Sequence, residues 1–169
     1  MKRGQGWGVD LIIATTIFLS TLLIFFFYSL NSSGEGQDTL DNLLYEGEFI
    51  SSTLLSDGYP VDWNENNVVT LGILSNGKIN DTKLERLYNM ANPVSNPIGY
   101  EKSKNLFRTK YEYFFNMSEP IDFGGEPIPE GGIGKAPPIP PLNPKSLVKT
   151  SRITNYKGSP RIMEVYVWE

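Results

Sequence analysis

The chain has 169 residues, the size of one domain, and its 15 basic and 19 acidic residues give a net charge of −4. It contains no Cys, which excludes disulfides, thiol nucleophiles and thiolate metal sites. It contains no His, which excludes a Ser-His-Asp triad, a His-bearing zinc site and His-ligated haem. The composition therefore favours a protein that is not an enzyme, with no cofactor, no metal and no nucleic-acid partner, although chemistry using carboxylates alone stays open.

The first element is an apolar run of twenty residues from Leu11 to Leu30, without a charge, Pro or Gly. A helix of this length crosses a hydrocarbon core of about 30 Å. A buried core helix and a cleavable secretory signal are the alternatives. Core helices usually have a polar face, and the apolar part of a signal is only about 7–15 residues long. The pattern thus predicts a transmembrane helix over residues 11–30.

The charges beside this run predict its orientation. Lys2 and Arg3 precede it, whereas residues 35–65 contain eight acids and no base. Basic residues stay on the cytoplasmic side of a membrane span. We therefore expect residues 1–10 to be a cytoplasmic leader and residues 31–169 to lie outside the cell.

The leader has a second notable feature, the sequence Lys2-Arg3-Gly4-Gln5 followed by Asp10 and the apolar run. This arrangement resembles the class III signal peptide of archaeal type IV pilin-like proteins. In that family a prepilin peptidase cuts after a Gly, usually before a Gln, and the apolar helix remains as a membrane anchor and then as the filament core. The resemblance implies cleavage between Gly4 and Gln5. It also implies membrane lipid, sister pilin subunits and the prepilin peptidase as partners.

Asp10 matches the acidic position of the family, which is normally the fifth residue of the mature chain. Cleavage before Gln5 makes Asp10 the sixth residue, whereas cleavage before Gly6 makes it the fifth but removes the Gly from the cleavage pair. Two roles for Asp10 are open. Its carboxylate can pair with the terminal ammonium of a neighbouring subunit, which would offset the cost of burying it, or it can face cytoplasmic water.

An amphipathic helix is predicted over residues 39–56, with Asp38 as its N-cap and Gly58-Tyr59-Pro60 after its end. Its apolar stripe is interpreted as core, with a partner-helix surface as the alternative. The stripe consists of Leu40, Leu43, Leu44, Ile50, Leu54 and Leu55.

Shorter elements follow in the next part of the chain. They are a strand over residues 68–74, a turn at Ser75-Asn76-Gly77, a helix capped by Asn80 or Asp81 and broken by Pro93 and Pro97, a helix from Tyr100 to Phe107, and a strand from Tyr111 to Met117.

Residues 119–145 contain eight of the twelve prolines and five glycines, which predicts an extended or mobile loop. Within it, Pro137-Pro138-Ile139-Pro140-Pro141 favours polyproline II and could dock an aromatic groove, but a solvated insertion is the preferred interpretation. Asp122, Glu126 and Glu130 lack the dense spacing of a calcium loop and are interpreted as solvated acids.

The C-terminal pattern predicts a β-hairpin. Strands over residues 147–156 and 162–168 flank a turn at residues 157–160. One face of the second strand carries Met163, Val165 and Val167, and the other face carries Glu164, Tyr166 and Trp168.

Three Asn-x-Ser/Thr sequons, at Asn31, Asn80 and Asn116, lie on the predicted outer side and are candidate glycosylation sites. Asn31 lies next to the membrane, and Asn80 also suits a helix cap.

The sequence thus predicts an α+β fold: a long N-terminal transmembrane or pilin-type helix, then a small ectodomain with short helices and an antiparallel sheet. The favoured function is a structural subunit, a minor one, of an archaeal type IV pilus-like surface filament. The alternative is a single-pass, membrane-anchored extracellular binding module that is not assembled into a filament. An extracellular hydrolase that uses only carboxylates is disfavoured.

Overall fold

The chain folds as an α+β protein, which confirms the predicted fold class. In the computed structural model the described residues are 5–32, 34–123, 126–128, 131–137 and 144–169. The chain divides into two compact units, residues 1–39 and residues 40–169.

Four α-helices lie within the described residues: α1 (Gln5–Ser32), α2 (Gly34–Leu54), α3 (Asp81–Met90) and α4 (Pro97–Phe107). Helix α2 begins at Gly34, before the predicted start at residue 39, so Asp38 lies inside the helix and the predicted N-cap is wrong. Acidic side chains stabilise the first turns of a helix through its dipole, so the acids from Glu35 onward favour the earlier start.

Eight strands form three antiparallel sheets within the described residues. They are β1 (Leu74–Ser75), β2 (Lys78–Ile79), β3 (Glu112–Met117), β4 (Asp122–Phe123), β5 (Glu126–Pro127), β6 (Gly132–Gly134), β7 (Leu147–Tyr156) and β8 (Ser159–Trp168). The largest sheet has the order β6-β3-β8-β7, and the pairs β1-β2 and β4-β5 are separate.

Helix α2 packs on one face of the four-stranded sheet. Gly47 provides the close approach: a Cβ there would lie 2.8 Å from Oγ1 of Thr150 on β7 and 3.7 Å from Cγ2 of Val167 on β8. Leu43, Ile50 and Leu54 of α2 are fully buried in this layer. The predicted stripe is therefore only partly core, because Leu40 and Leu44 are exposed.

The C-terminal hairpin is confirmed, but its turn is shorter than predicted. Lys157 and Gly158 both have positive φ, 50° and 81°, which is typical of a two-residue type I′ turn. Strand β8 therefore begins at Ser159, which pairs with Tyr156. Pro160 lies opposite Asn155 in a pair that needs no hydrogen bond from the proline.

The predicted faces of β8 are confirmed. Met163, Val165 and Val167 are fully buried on the core face. Trp168 alternates onto the other face with Glu164, yet it is only 4 % exposed.

The predicted strand over residues 68–74 is wrong for most of its length. Only Leu74 belongs to a strand, and Thr70 forms an isolated bridge with Tyr59. The backbone amide of Ile73 donates to the carbonyl of Leu54 at 2.9 Å, and that of Leu74 donates to the carbonyl of Ser56 at 2.9 Å. The end of α2 thus supplies the hydrogen bonds that a neighbouring strand would otherwise supply.

Helices α3 and α4 begin at asparagine caps. The Oδ1 of Asn80 accepts from the amide of Lys83 at 3.1 Å, which confirms this predicted cap. The Oδ1 of Asn96 accepts from the amide of Gly99 at 2.9 Å. Helix α4 therefore begins at Pro97 and not at Tyr100, because proline fits the first position of a helix, where no donor is needed.

The interpretation of residues 119–145 as an extended loop is wrong for its described part. This part contains β4, β5 and β6. Ile121, Ile128 and Ile133 are buried in the core, so apolar side chains hold the segment despite its prolines and glycines. Of the predicted polyproline stretch only Pro137 lies within the described residues.

The loop between α2 and α3 is held by three side chains, those of Trp63, Lys83 and Arg86. Trp63 is fully buried, and its Nε1 donates to the carbonyl of Gly72 at 2.7 Å. From α3, the buried ammonium of Lys83 donates to the carbonyls of Asp57 and Leu74 at 2.8 and 2.6 Å. Arg86 donates to the carbonyl of Trp63 at 2.7 Å.

Candidate membrane span and assembly helix

Helix α1 contains the candidate membrane span. Within the described residues, the segment Trp7–Leu30 is the one helix long and apolar enough to cross a membrane, judged by length and composition. Its 24 residues extend over about 36 Å at 1.5 Å per residue. The predicted span of residues 11–30 lies inside this segment.

The hydroxyl groups of α1 are satisfied within the helix. Thr15, Thr16, Ser20 and Thr21 each donate to the carbonyl four residues earlier, at 2.8–2.9 Å. A hydroxyl bonded in this way needs no water, so it can enter a hydrocarbon layer at a reduced cost.

The apolar side chains of α1 cover its whole circumference. Ile17, Phe18 and Leu19 are consecutive, so they point about 100° apart, and they are 61 %, 63 % and 53 % exposed. Phe25 is 70 % exposed further along the helix. No part of the span is buried within the described residues, and its apolar surface suits contact with lipid or with other apolar helices.

The leader residues are only partly placed. Gln5 is the first residue of α1, and Gly4 lies outside the described residues. Asp10 lies on α1 with an exposed side chain, just before the apolar run. Cleavage at Gly4-Gln5 and the assembly role of Asp10 stay predictions.

The three sequons lie in different settings. Asn31 is the second-last residue of α1. The Nδ2 of Asn80, the atom to which a glycan would be attached, donates to Oγ of Ser75 at 3.3 Å. Asn116 lies on β3 between β6 and β8, half-buried, and its Oδ1 is buried without a partner among the described residues. Glycosylation at these positions stays a prediction.

A cluster of hydrogen-bonded side chains joins α4 to β3. The hydroxyl of Tyr100 donates to Oε2 of Glu112 at 2.8 Å, and Nζ of Lys104 donates to Oε1 of the same carboxylate at 3.1 Å. Ser103 and the hydroxyl of Tyr113 form a hydrogen bond beside them. The rings of Tyr100 and Tyr113 stack with centroids 5.4 Å apart. The cluster fixes the helix to the central part of the sheet.

Burial favours the protonated form of the two tyrosines in this cluster by raising the pKa of each hydroxyl. It raises the pKa of Tyr100, which the hydrogen bond to Glu112 raises further, and it raises the pKa of Tyr113. Burial acts to raise the pKa of Glu112 as well, but hydrogen bonds from Tyr100 and Lys104 and the charges of Lys104 and Lys135 outweigh it. The pKa of Glu112 is therefore held below its usual range.

This lowered pKa predicts a pH dependence of stability. The ionised Glu112 stabilises the fold above its unfolded-state pKa of about 4.3, and this contribution is lost as the pH falls through the lower folded-state pKa. We expect Glu112→Gln to lose less unfolding free energy than the wild type on acidification from pH 7. Chemical unfolding of the full chain in detergent, followed by circular dichroism at each pH, measures this difference.

Glu101 offers the matched control. Its carboxylate lies 3.7 Å from Nζ of the same Lys104, but its side chain is 66 % exposed. Glu101→Gln should retain the acid dependence of the wild type. An identical acid dependence for Glu112→Gln and the wild type would show that the cluster does not stabilise the ionised carboxylate.

Within the described part of the chain, no three Asp, Glu, His or Cys side chains are grouped closely enough to hold a metal ion. Comparison with models of known protein families, with curated proteins and with solved structures gave no match.

Proposed function

We propose that this chain is a structural, non-enzymatic subunit, a minor one, of an archaeal type IV pilus-like surface filament that assembles through α1. The observation that carries the proposal is the uncovered apolar surface of α1 around its whole circumference. The same surface can be solvated first by lipid and then by the equivalent helices of sister subunits.

The proposed topology places residues 1–10 in the cytoplasm and residues 31–169 outside. It is supported by Lys2 and Arg3 before the span and by the absence of bases between residues 35 and 65. In this orientation the pair Gly4-Gln5 lies on the side where a prepilin peptidase acts.

The experiment is to determine the N-terminus of the protein from its native membrane, by intact mass and N-terminal peptide mapping. A chain that begins at Gln5 or Gly6 and retains α1 supports the filament subunit. A chain that still begins at Met1 or Lys2 contradicts it and favours the membrane-anchored binding module. A start near Asn31 indicates a secretory signal and contradicts both.

Two glycine variants make the test specific. Gly4→Val should block processing, because the resemblance assigns the residue before the cut to Gly4. Gly8→Val is the matched control, because a Cβ at Gly8 meets nothing within 4 Å and the residue lies outside the cleavage pair. If both variants are processed like the wild type, the peptidase does not recognise this glycine.

A further inference from the structure

The outer face of the four-stranded sheet, opposite the face that α2 covers, carries a row of aromatic side chains. Phe114 of β3 lies opposite Tyr166 of β8, and Trp168 is two residues further along β8. Side chains alternate along a strand, and the neighbouring Phe115 and Val167 belong to the core face. We name Phe114, Tyr166 and Trp168 the outer aromatic face.

Two of these three rings are buried without belonging to the core. Phe114 is 6 % exposed and Trp168 is 4 % exposed. Neither is part of the cluster of contacting buried side chains that includes residues of α2, α3 and α4. Tyr166, with its ring centroid 6.4 Å from that of Phe114, flanks this ring within the same layer. The low exposure of Phe114 and Trp168 therefore indicates a further layer on the outer side of the sheet.

The outer aromatic face extends from one edge of the sheet towards the other. A Cβ at Gly132 of β6 would lie 2.4 Å from Cζ of Phe114, so the glycine leaves space for this ring to lie across the edge strand. At the other side of the sheet, Trp168 lies opposite Leu147, the first residue of β7.

The connection between β6 and β7 has to pass between these same two edges. The two strands are the outermost of the sheet, three strand spacings or about 14 Å apart. After β6, the amide of Lys135 donates to the carbonyl of Tyr113 at 3.0 Å. Before β7, the carbonyl of Ser146 accepts from the amide of Glu169 at 3.2 Å. Both ends of the connection are therefore fixed at one end of the sheet, and α2 occupies the core face.

The central part of this connection, residues 138–143, lies outside the described residues and has the sequence Pro-Ile-Pro-Pro-Leu-Asn. Six residues of polyproline II, at about 3.1 Å each, span about 19 Å, which is enough to cross the sheet. This helix has three residues per turn, so Ile139 and Leu142 would share one side of it. Proline has no amide donor, so few backbone donors would be left unpaired above the strands. The flanking Pro137 and Pro144 are half-buried.

We propose that residues 138–143 cross the outer side of the sheet and pack on the outer aromatic face of the same copy, with Ile139 and Leu142 against the rings. A route around the end of the sheet would leave Phe114 and Trp168 open to water, contrary to their low exposure. Proline-rich segments bind aromatic surfaces between proteins in this way. Here the segment and the surface belong to one chain, so neither is presented to a separate partner.

The absence of Cys from the chain allows a labelling test on the full chain in detergent. Ile139→Cys and Leu142→Cys should each react with a maleimide about tenfold more slowly than Val94→Cys, whose position is 81 % exposed, because the segment must first leave the sheet. Both positions have to be protected, since they share one side of the helix. A rate equal to that of Val94→Cys at either position overturns the proposal.

Removing the rings identifies what protects the segment. In the Ile139→Cys background, Tyr166→Ala and Trp168→Ala should each raise the labelling rate towards that of Val94→Cys. Tyr59→Ala is the matched control, because this aromatic side chain is 64 % exposed and lies outside the sheet, and it should leave the rate unchanged. Circular dichroism checks that each variant is folded, and Tyr166→Ala decides alone if Trp168→Ala does not fold. Protection that survives the loss of the rings contradicts docking on this face.

A second copy of the chain is the other candidate occupant of the outer aromatic face. Protection that is the same at all protein concentrations, including those at which size-exclusion chromatography shows a monomer, supports docking within one copy. Protection that disappears on dilution to the monomer shows docking between copies and overturns the proposal. The inference is independent of the proposed function, because the labelling rates do not depend on where the N-terminus is cut.

Discussion

Ile17→Arg is expected to abolish stable membrane association of the full chain. Ile17 lies near the middle of the span and is 61 % exposed. Exchanging a central Ile for Arg raises the free energy of insertion by about 3–4 kcal/mol, which is a shift of roughly two to three powers of ten in the equilibrium. The measurement is the distribution of the protein between pellet and supernatant after alkaline extraction of membranes.

The matched control for this variant is Ile98→Arg. Ile98 is 84 % exposed, but it lies on α4, outside the span. Ile98→Arg should leave the distribution of the protein between pellet and supernatant unchanged. This result would show that the effect of Ile17→Arg depends on where the charge is placed. If Ile17→Arg remains in the membrane fraction like the wild type, α1 is not the membrane anchor.

The second large effect is expected at Trp63. Trp63→Ala should lower the free energy of unfolding by about 3–5 kcal/mol, because it removes a large, fully buried side chain from the core. Trp63→Phe should cost less, about 1–3 kcal/mol, because it retains a ring but leaves the carbonyl of Gly72 without its donor. Chemical unfolding of the full chain in detergent, followed by circular dichroism, measures both values.

Tyr59 provides the control for the loss of an aromatic side chain in the same loop. It is 64 % exposed, so Tyr59→Ala should change the free energy of unfolding by less than about 0.5 kcal/mol. If Trp63→Ala and Tyr59→Ala lower the free energy of unfolding equally, the burial of Trp63 does not stabilise this loop.

Local sequence patterns were sufficient to predict the elements whose hydrogen bonds are within one segment or between two strands adjacent in sequence. The hairpin of β7 and β8 follows from alternating side chains around Lys157-Gly158, and the cap at Asn80 follows from its position before an apolar helix. The apolar run predicted α1 for the same reason, since every backbone hydrogen bond of a helix lies within the segment.

Local patterns gave wrong predictions where residues distant in sequence supply the hydrogen-bond partners or the buried contacts. Residues 68–73 are as β-branched and apolar as a strand, but the amides of Val69 and Thr70 bond to the carbonyl of Tyr59, and the amide of Ile73 bonds to the carbonyl at the end of α2. The prolines between residues 119 and 145 predicted an exposed loop, whereas Ile121, Ile128 and Ile133 anchor its described part in the core. Burial of a few apolar side chains can outweigh the preference of the intervening prolines and glycines for an exposed loop.

The features of the candidate site and of the loop beside α3 also fall into two groups, those predicted by local sequence and those decided by residues distant in sequence. The span was predicted from its residues alone, because length and continuous apolarity are properties of one segment. The buried Lys83 was missed, although it shares a helical stripe with the buried Leu87 and Met90. No short-range pattern indicates that the carbonyls of Asp57 and Leu74 surround its ammonium.

The sequence by itself determined the length and continuous apolarity of α1, the acidic and basic segments, the cap at Asn80 and the C-terminal hairpin, because these depend on neighbouring residues. Only the tertiary structure decided that Leu43 is buried while Leu44 is exposed, and that α2 covers one face of the sheet while Ile153 and Ile162 lie on the other. Burial depends on which distant segments meet, so the surfaces left open to a partner emerge only when the whole chain is packed.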